Sequence, residues 1–501
     1  MPAFSFTPTE HGARSGMTDL WQRLGNAAFS TLPAGFFVAQ APTSLPAPYL
    51  VAFNPDMGAH LDFALGPDVV ELLAGNTVPP GIAPIAAVYA GHQFGVYVQQ
   101  LGDGRAILLG DVVNGRGERY EIQLKGAGRT PFSRGADGRA VLRSTIREYL
   151  ASEAMHGLGI PTTRALAIVG SDQPVYREQI ETAAVLTRLA PSHVRFGSFE
   201  FFHYRGDLQR VALLAEFVID TQFPALSGLP DRHHRLLDEV VDRTARLVAA
   251  WQAQGFVHGV MNTDNMSILG LTLDYGPYGF LDHFEAARVF NHTDQGGRYA
   301  YANQGRVALW NLHALAEALS TLISAERRAA ALARFEPLFI ATYGELMRRK
   351  LGLAQPNPQD ADLVDRLLQA LQEGRVDYPA FVRGLSGVRI DDPASRAPLL
   401  ALSRAPQVLD AWLDDYARRL SAEGDPAAVR QARMDAINPL YVLRTHLAER
   451  AIRQAADQHD SSEIERLRSL LAQPFTPQPG AADYAAPPPD DGGALALSCS
   501  S

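Results

Sequence analysis

An α+β fold of two lobes, β-rich first and helical afterwards, is what this sequence predicts. Three observations carry that reading. Residues 91–190 are dominated by short apolar or alternating runs set off by glycine-containing turns. From Leu236 onward apolar residues recur at helical spacing over 236–254, 305–352, 360–374, 407–423 and 441–472. The change of period falls just ahead of 258–276, the stretch with the densest recognisable chemistry.

In chain order, residues 1–90 are rich in Pro and short apolar runs without clean period, and read as an irregular extension packed on the next unit. Residues 91–190 form the β-rich lobe. Here Val96-Tyr-Val98 and Ala106-Ile-Leu-Leu109 flank Leu101-Gly-Asp-Gly-Arg105, a hairpin signal of two apolar runs around a glycine turn. Tyr120-Glu-Ile-Gln-Leu-Lys125 alternates as a third strand, and 126–139 is a Gly- and Arg-rich loop. Val141, Leu142, Ile146, Leu150 and Ala154 then trace a helical stripe, and 164–169 and 182–189 read as strands. Residues 191–350 make the helical lobe, in which a helix over 236–254 stops before Gly255. A further helical region covers 351–476. Residues 477–501, rich in Pro, Gly, Ala and Asp, read as a flexible tail ending Ser-Cys-Ser-Ser.

Bulk properties narrow the function classes. A chain of 501 residues has room for two or three domain-sized units, and 47% hydrophobic with 20% charged residues is a globular composition. The net charge of −9 argues against nucleic-acid binding, which needs a basic face. A single cysteine, Cys499, excludes an intrachain disulfide and fits a reducing cytoplasm. No run approaches the ~18 apolar residues of a membrane span. The N-terminal Met-Pro-Ala-Phe-Ser-Phe-Thr-Pro lacks a basic stretch followed by an apolar block, so no secretory signal is expected.

The chemistry centres on His258-Gly-Val-Met-Asn-Thr-Asp264-Asn265, followed nine residues later by Asp274-Tyr-Gly276. Kinase-type catalytic loops run His-x-Asp with an Asn five positions after the Asp, then Asp-Phe-Gly on the next strand. Five before Asn265 stands Val260, which cannot accept a proton. Asn265 and Asp274 still offer the hard oxygens that magnesium needs around a triphosphate, and a carboxylate survives at Asp264. His258 reads as a packing residue of the loop.

Upstream, Gly102, Gly104 and Arg105 would let backbone N–H groups approach phosphate oxygens, although Gly-Asp-Gly alone is more often a plain turn. Lys125 stands where a kinase places its phosphate-gripping lysine. Glu148 would pair with it, with Glu153 as rival, and the bland alternative for either is a surface ion pair. Arg129, Arg134, Arg139, Arg188 and Arg195 form an arginine set foreign to kinases and suited to phosphate oxygens, or else to a solvated face. Asp282, His283 and Glu285 lack zinc spacing, and no Gly-x-Ser-x-Gly elbow points to a hydrolase.

Five strings now become specific together. They are Gly91-His-Gln-Phe-Gly95, Gln123-Leu-Lys-Gly-Ala-Gly-Arg-Thr-Pro-Phe-Ser-Arg134, Arg188-Leu-Ala-Pro-Ser-His-Val-Arg-Phe-Gly197, His258-Gly-Val-Met-Asn-Thr-Asp-Asn-Met-Ser267 and Asn438-Pro-Leu-Tyr-Val-Leu-Arg444. In these the chain resembles the SelO (YdiU) family from about residue 30 to its C-terminus. The resemblance implies a protein-kinase-like fold that transfers AMP from ATP to Ser, Thr or Tyr hydroxyls of proteins. It also implies ATP bound in reverse, with the γ-phosphate buried among the extra arginines. Carried over by motif position, Gly102, Gly104, Arg105, Lys125, Asp137, Gly138, Arg188, Arg195 and Asp274 would bind ATP. Asp264 would accept the hydroxyl proton, Asn265 and Asp274 would hold Mg²⁺ or Mn²⁺, and Glu148 would support Lys125. The expected partners are acceptor proteins, with neither nucleic acid nor membrane.

One departure stands out. Many bacterial relatives carry a cysteine after the magnesium motif, but 281–293 contains none here. Cys499 could then form only a mixed disulfide, with glutathione or another protein. Alternatives within reach of the residues are UMP transfer with Mn²⁺, an ordinary kinase (against which Val260 speaks) and a non-catalytic nucleotide-binding scaffold.

Overall fold

The computed structural model describes residues 20–66 and 68–489. Its first lobe is built on an antiparallel eight-stranded sheet. The strands are β1 (Phe37–Ala39), β2 (Tyr49–Phe53), β3 (Ile85–Ala87), β6 (Ala106–Val113), β7 (Arg119–Lys125), β8 (Ala140–Val141), β9 (Arg164–Tyr176) and β10 (Ile180–Ala190), while β4 (Gly91–Gln93) and β5 (Val96–Val98) form a separate two-stranded ribbon. The order is β1-β3-β6-β7-β10-β9-β2, with β8 paired to β10. The central strands β6 and β10 carry nearly continuous apolar stretches because both faces are covered, while β7 alternates.

Register positions the site. Lys125 at the end of β7 lies opposite Ala106 on one side and Leu186 on the other, and Gln123 lies opposite Arg188. Side chains of one strand alternate faces, so Gln123, Lys125 and Arg188 emerge on the same side of the sheet. The helix Leu142–Gly157 packs against β9 and β10 and brings Glu148 to that side.

Two readings of the sequence need correction. The runs 96–98 and 106–109 do not form a hairpin: β5 pairs with β4, and β6 turns into β7. The Leu101-Gly-Asp-Gly-Arg105 segment instead runs alongside β3 and the residues after it, with Leu101 N–H donating to Tyr89 O and Asp103 N–H to Ala87 O. Nor are residues 1–90 wholly irregular. β1 and β3 extend one side of the sheet and β2 closes the other, pairing with β9. These strands are only three to five residues long, too short to show a period, and they cover edges that would otherwise invite pairing with another chain.

The second lobe is helical. Its central helix, Arg232–Gln254, ends on Gly255 in the left-handed conformation (φ +69°), as a C-terminal glycine cap allows. The chain then enters a two-residue strand pair, β11 (Phe256–Val257) with β12 (Gly279–Phe280), which brackets the catalytic-loop sequence. The helical stretch predicted over 305–352 is three helices, Gln304–Ala318, Ala325–Leu332 and Phe335–Lys350.

The C-terminal region is fastened from behind. Buried Arg444 donates to Asp282 Oδ1 (2.6 Å) and Asp377 Oδ2 (2.8 Å), tying the end of the chain to the segment after Asp274. Part of the predicted tail is also packed. Ala481 is buried beside Tyr441 and Leu470, and the Tyr484 hydroxyl donates to Glu463 (3.0 Å). Cys499 lies outside the described residues. Among those described, no helix is long and apolar enough to cross a membrane.

Candidate active site

A cleft of about 650 Å³ opens between the sheet and the helical lobe. Gly102, Gly104, Arg105, Lys125, Asp137, Gly138, Arg188, Arg195, Asp264, Asn265 and Asp274 all line it. The structure thus gathers in one place residues that the sequence spreads over 172 positions (102 to 274).

Asp274 is the hub of the cationic side of the cleft. It forms ion pairs with Arg188 and Arg195, and Lys125 Nζ lies 3.3 Å from its Oδ1. Burial alone would push its carboxyl up, but Arg188, Arg195 and Lys125 outweigh that and hold it well below the usual carboxylate range. Glu148 sits behind this cluster, 2.5 Å from Lys125 Nζ and 3.1 Å from Arg188 Nη1. The rival Glu153 is occupied by Arg164 through two 2.8 Å bonds, so Glu148 is the lysine's partner. Gln123, which sequence reasoning passed over, accepts from Arg188 Nε at 3.1 Å. Arg195 also donates to the Asp264 carbonyl (2.7 Å) and lies over the Tyr89 ring.

The other side of the cleft is under-paired. Asp264 is buried, and its Oδ1 has no hydrogen-bond partner among the described residues. Its Oδ2 accepts one bond, from Gln93 Nε2 at 3.2 Å. Burial pushes this carboxyl up to about 7, against the opposing pull of Arg195 and the Gln93 bond. Gly91 lies flat against it: a Cβ there would stand 2.8 Å from Asp264 Oδ1. Neighbouring Asn265 donates its amide to the Val260 carbonyl (3.0 Å), which leaves its side-chain oxygen as the group free to act. His258 is buried and its Nε2 meets Leu273 O at 3.0 Å, so it braces the strand leading to Asp274.

The remaining candidates divide. Gly102 has φ +78° and abuts Phe132, so the conformation and the contact both require glycine. Gly138 (φ +71°) passes so near Gly128 that a Cβ would lie 2.2 Å from its carbonyl oxygen. Asp137 at the rim accepts two bonds from Arg177, at 2.7 and 2.8 Å. Arg129 and Arg139 spend their guanidinium donors on backbone carbonyls. Arg129 donates to Ala136 O and Gly135 O, and Arg139 to Thr43 O and Ser44 O. Of the three loop arginines, Arg134 and Arg139 reach the cleft lining, and Arg134 is the exposed one.

Sequence reasoning also missed the support beneath the loop. Buried Glu200 accepts from Thr263 and meets His92 Nδ1 at 2.6 Å, while Tyr299 OH donates to Asn262 Oδ1 at 2.6 Å. His92 and Thr263 lie 171 positions apart, and no local pattern announces their contact. The one available signal was the string Gly91-His-Gln-Phe-Gly95 itself.

The donor set suits a divalent cation that arrives with a triphosphate. Asn265 and Asp274 supply hard oxygens, and Asp274 is already ionised by its surroundings. Among the described residues no group of three or more His, Cys, Asp or Glu is arranged to hold a metal without such a ligand.

Two lobes, a cleft between them and this charge layout define a kinase-like fold. Comparison with known proteins makes that specific: the family model for protein adenylyltransferase SelO matches residues 25–472. A protein nucleotidyltransferase YdiU of Myxococcus xanthus is 52% identical over 489 residues, covering 97% of this chain and 100% of the relative. One from Thiobacillus denitrificans is 54% identical over 477 residues, covering 94% and 98%. The chain is therefore a nucleotidyltransferase by class. It belongs to the SelO family.

Proposed function

We propose that this chain transfers AMP from ATP to Ser, Thr or Tyr hydroxyls of proteins, with the nucleotide lying in reverse to its orientation in a kinase. The observation that carries the reading is Asp264, a buried carboxylate in the cleft with one oxygen unpartnered, next to Asn265 and four positions after a valine that replaces the kinase base. Two buried arginines beside Lys125 favour a deeply held phosphate tail over one that leaves with the acceptor.

Lys125, Arg188 and Arg195 neutralise phosphate oxygens as the triphosphate exchanges places with their present partner, Asp274. Asn265 and Asp274 would hold Mg²⁺ or Mn²⁺, which when bound supplies positive charge to the phosphates. The Asp264 carboxylate takes the proton of the acceptor hydroxyl. The hydroxyl oxygen bonds to the α-phosphorus, the bond from that phosphorus to its bridging oxygen breaks, and pyrophosphate departs. Positioning and fixed charge supply most of the acceleration.

The test is ATP labelled at either the α- or the γ-phosphate, incubated with the protein and acceptor proteins. Label from the α position alone is the expected result. Label from γ alone would make the chain a kinase, and no transfer from either would make it a scaffold.

A further inference from the structure

The β4–β5 ribbon has two faces with different company. Inward, Gly91 and Gln93 touch Asp264, and Gln93 lines the cleft. Outward, the turn carries Phe94 and Val96, 39% and 69% exposed. Tyr204 (46%) and Trp310 (36%) stand beside it, grouped around His92, whose ring lies 5.8 Å from Tyr204 and 5.2 Å from Trp310. Large apolar residues left in solvent this close to a reacting group are unusual.

The platform is also rigid. His92 N–H donates to Thr263 Oγ1 (2.7 Å) and Phe94 N–H to Tyr299 OH (2.9 Å), so the ribbon is bolted to the loop that bears Asp264. β5 pairs with β4 alone among the described strands, leaving its other edge open.

Charge narrows the occupant. Arg298 lies over Trp310 (4.8 Å), Arg205 over Phe201 (3.7 Å) with Gln100 as its hydrogen-bond acceptor, and Arg306 sits one helical turn before Trp310, near Asn303. None of these described contacts is with a carboxylate. Three arginines thus stand among the exposed aromatics, where the carboxylates that act on Tyr204 are Glu200, buried beneath His92, and Glu317, already paired with Arg328.

We infer that this surface docks the acceptor protein, taking an extended segment with a large apolar side chain and an acidic side chain near the target hydroxyl. The inference rests on the AMP-transfer reading above, and it names what that reading leaves open, the acceptor's local chemistry. Because the ribbon reaches both the surface and Asp264, a segment held there lies next to the strand that contacts that carboxylate.

A position-scanned peptide library with a fixed Ser, Thr or Tyr and α-labelled ATP tests it. Wild-type protein should favour peptides with acidic and large apolar residues flanking the hydroxyl. The double variant V96S/W310A should raise the KM for those peptides about tenfold while the KM for ATP stays unchanged. Arg298→Glu should shift preference from acidic toward basic flanks. A flat library preference, or an unchanged peptide KM in V96S/W310A, would overturn the docking assignment while leaving AMP transfer intact. Labelling confined to the enzyme itself would make a second copy the occupant and overturn it too. No α-label on any peptide or protein would instead sink the AMP-transfer reading, and the docking surface with it.

Discussion

The two aspartates of the cleft, Asp264 and Asp274, lie ten residues apart and live in opposite worlds. Asp274 is surrounded by Lys125, Arg188 and Arg195 and is held ionised. Asp264 is the more deeply buried of the two but its carboxylate has one bond, from an amide, and is pushed up to about 7. One region is saturated with charge, so it can hold a ligand by exchanging partners. The other is left short of partners, so it can receive a proton. Environments that drive two like groups apart in this way mark candidates for acid–base roles.

The sharpest way to break this contrast is Asp264→Asn. Transfer should fall by ~10²–10⁴-fold, the usual worth of a positioned general base, with nucleotide affinity nearly unchanged. Near wild-type transfer, measured with α-labelled ATP, would remove Asp264 from the mechanism.

Arg188→Met probes the saturated side. It removes the buried cation that Glu148 and Asp274 share, leaving Lys125 alone between them, and unfolding free energy should drop by roughly 3–5 kcal/mol. Denaturant melts should show that loss for Arg188→Met and not for Asp264→Asn. Equal losses in both would erase the distinction between the two sides.

Lys350 extends the comparison to a cation. It is buried with only neutral partners, Gln254 Oε1 at 2.8 Å and Asn438 Oδ1 at 3.5 Å, and burial pushes its amine down to about 7. The unfolded lysine keeps its proton to about 10.5, so between those values the unfolded chain binds more protons and stability rises with pH. The slope from this group is up to about 1.4 kcal/mol per pH unit. Thermal melts from pH 7 to 9 should lose that rise in Lys350→Met; an unaltered slope would mean the amine stays charged in the folded protein.

The smallest effect is expected from Gln93→Leu, which removes the one side-chain donor to Asp264. A loss of about tenfold in kcat, with the KM for ATP unmoved, is the expected split. A change in the KM for ATP alone would move Gln93 to the nucleotide side.

How far the sequence could be read follows the same division. The saturated side was legible because strand, lysine, helix and glutamate come in one continuous stretch, 120–148, whose period and spacing are local. The under-paired side was not. Asp264 stood out by its displacement from Val260, but its contacts with Gly91 and Gln93 and the brace from Glu200 join segments far apart in the chain. The fold shows the same split. β6, β9 and β10 carried clear apolar runs and β7 a clear alternation, while β1–β3 were too short to announce themselves. The Gly-Asp-Gly segment mimicked a hairpin turn because glycine marks both tight turns and close backbone passage. Arg129 and Arg139 looked like phosphate ligands for a related reason: a guanidinium suits a carbonyl oxygen as well as a phosphate oxygen.

The Arg444 anchor has a consequence for how this protein is made. Asp282 and Asp377 leave the ribosome well before Arg444, the residue that neutralises both. Until then the buried Asp377 and the half-buried Asp282 beside it lack their shared cation, which disfavours closure of the helical lobe. A nascent chain would therefore carry every cleft residue before the brace behind the helical lobe is in place.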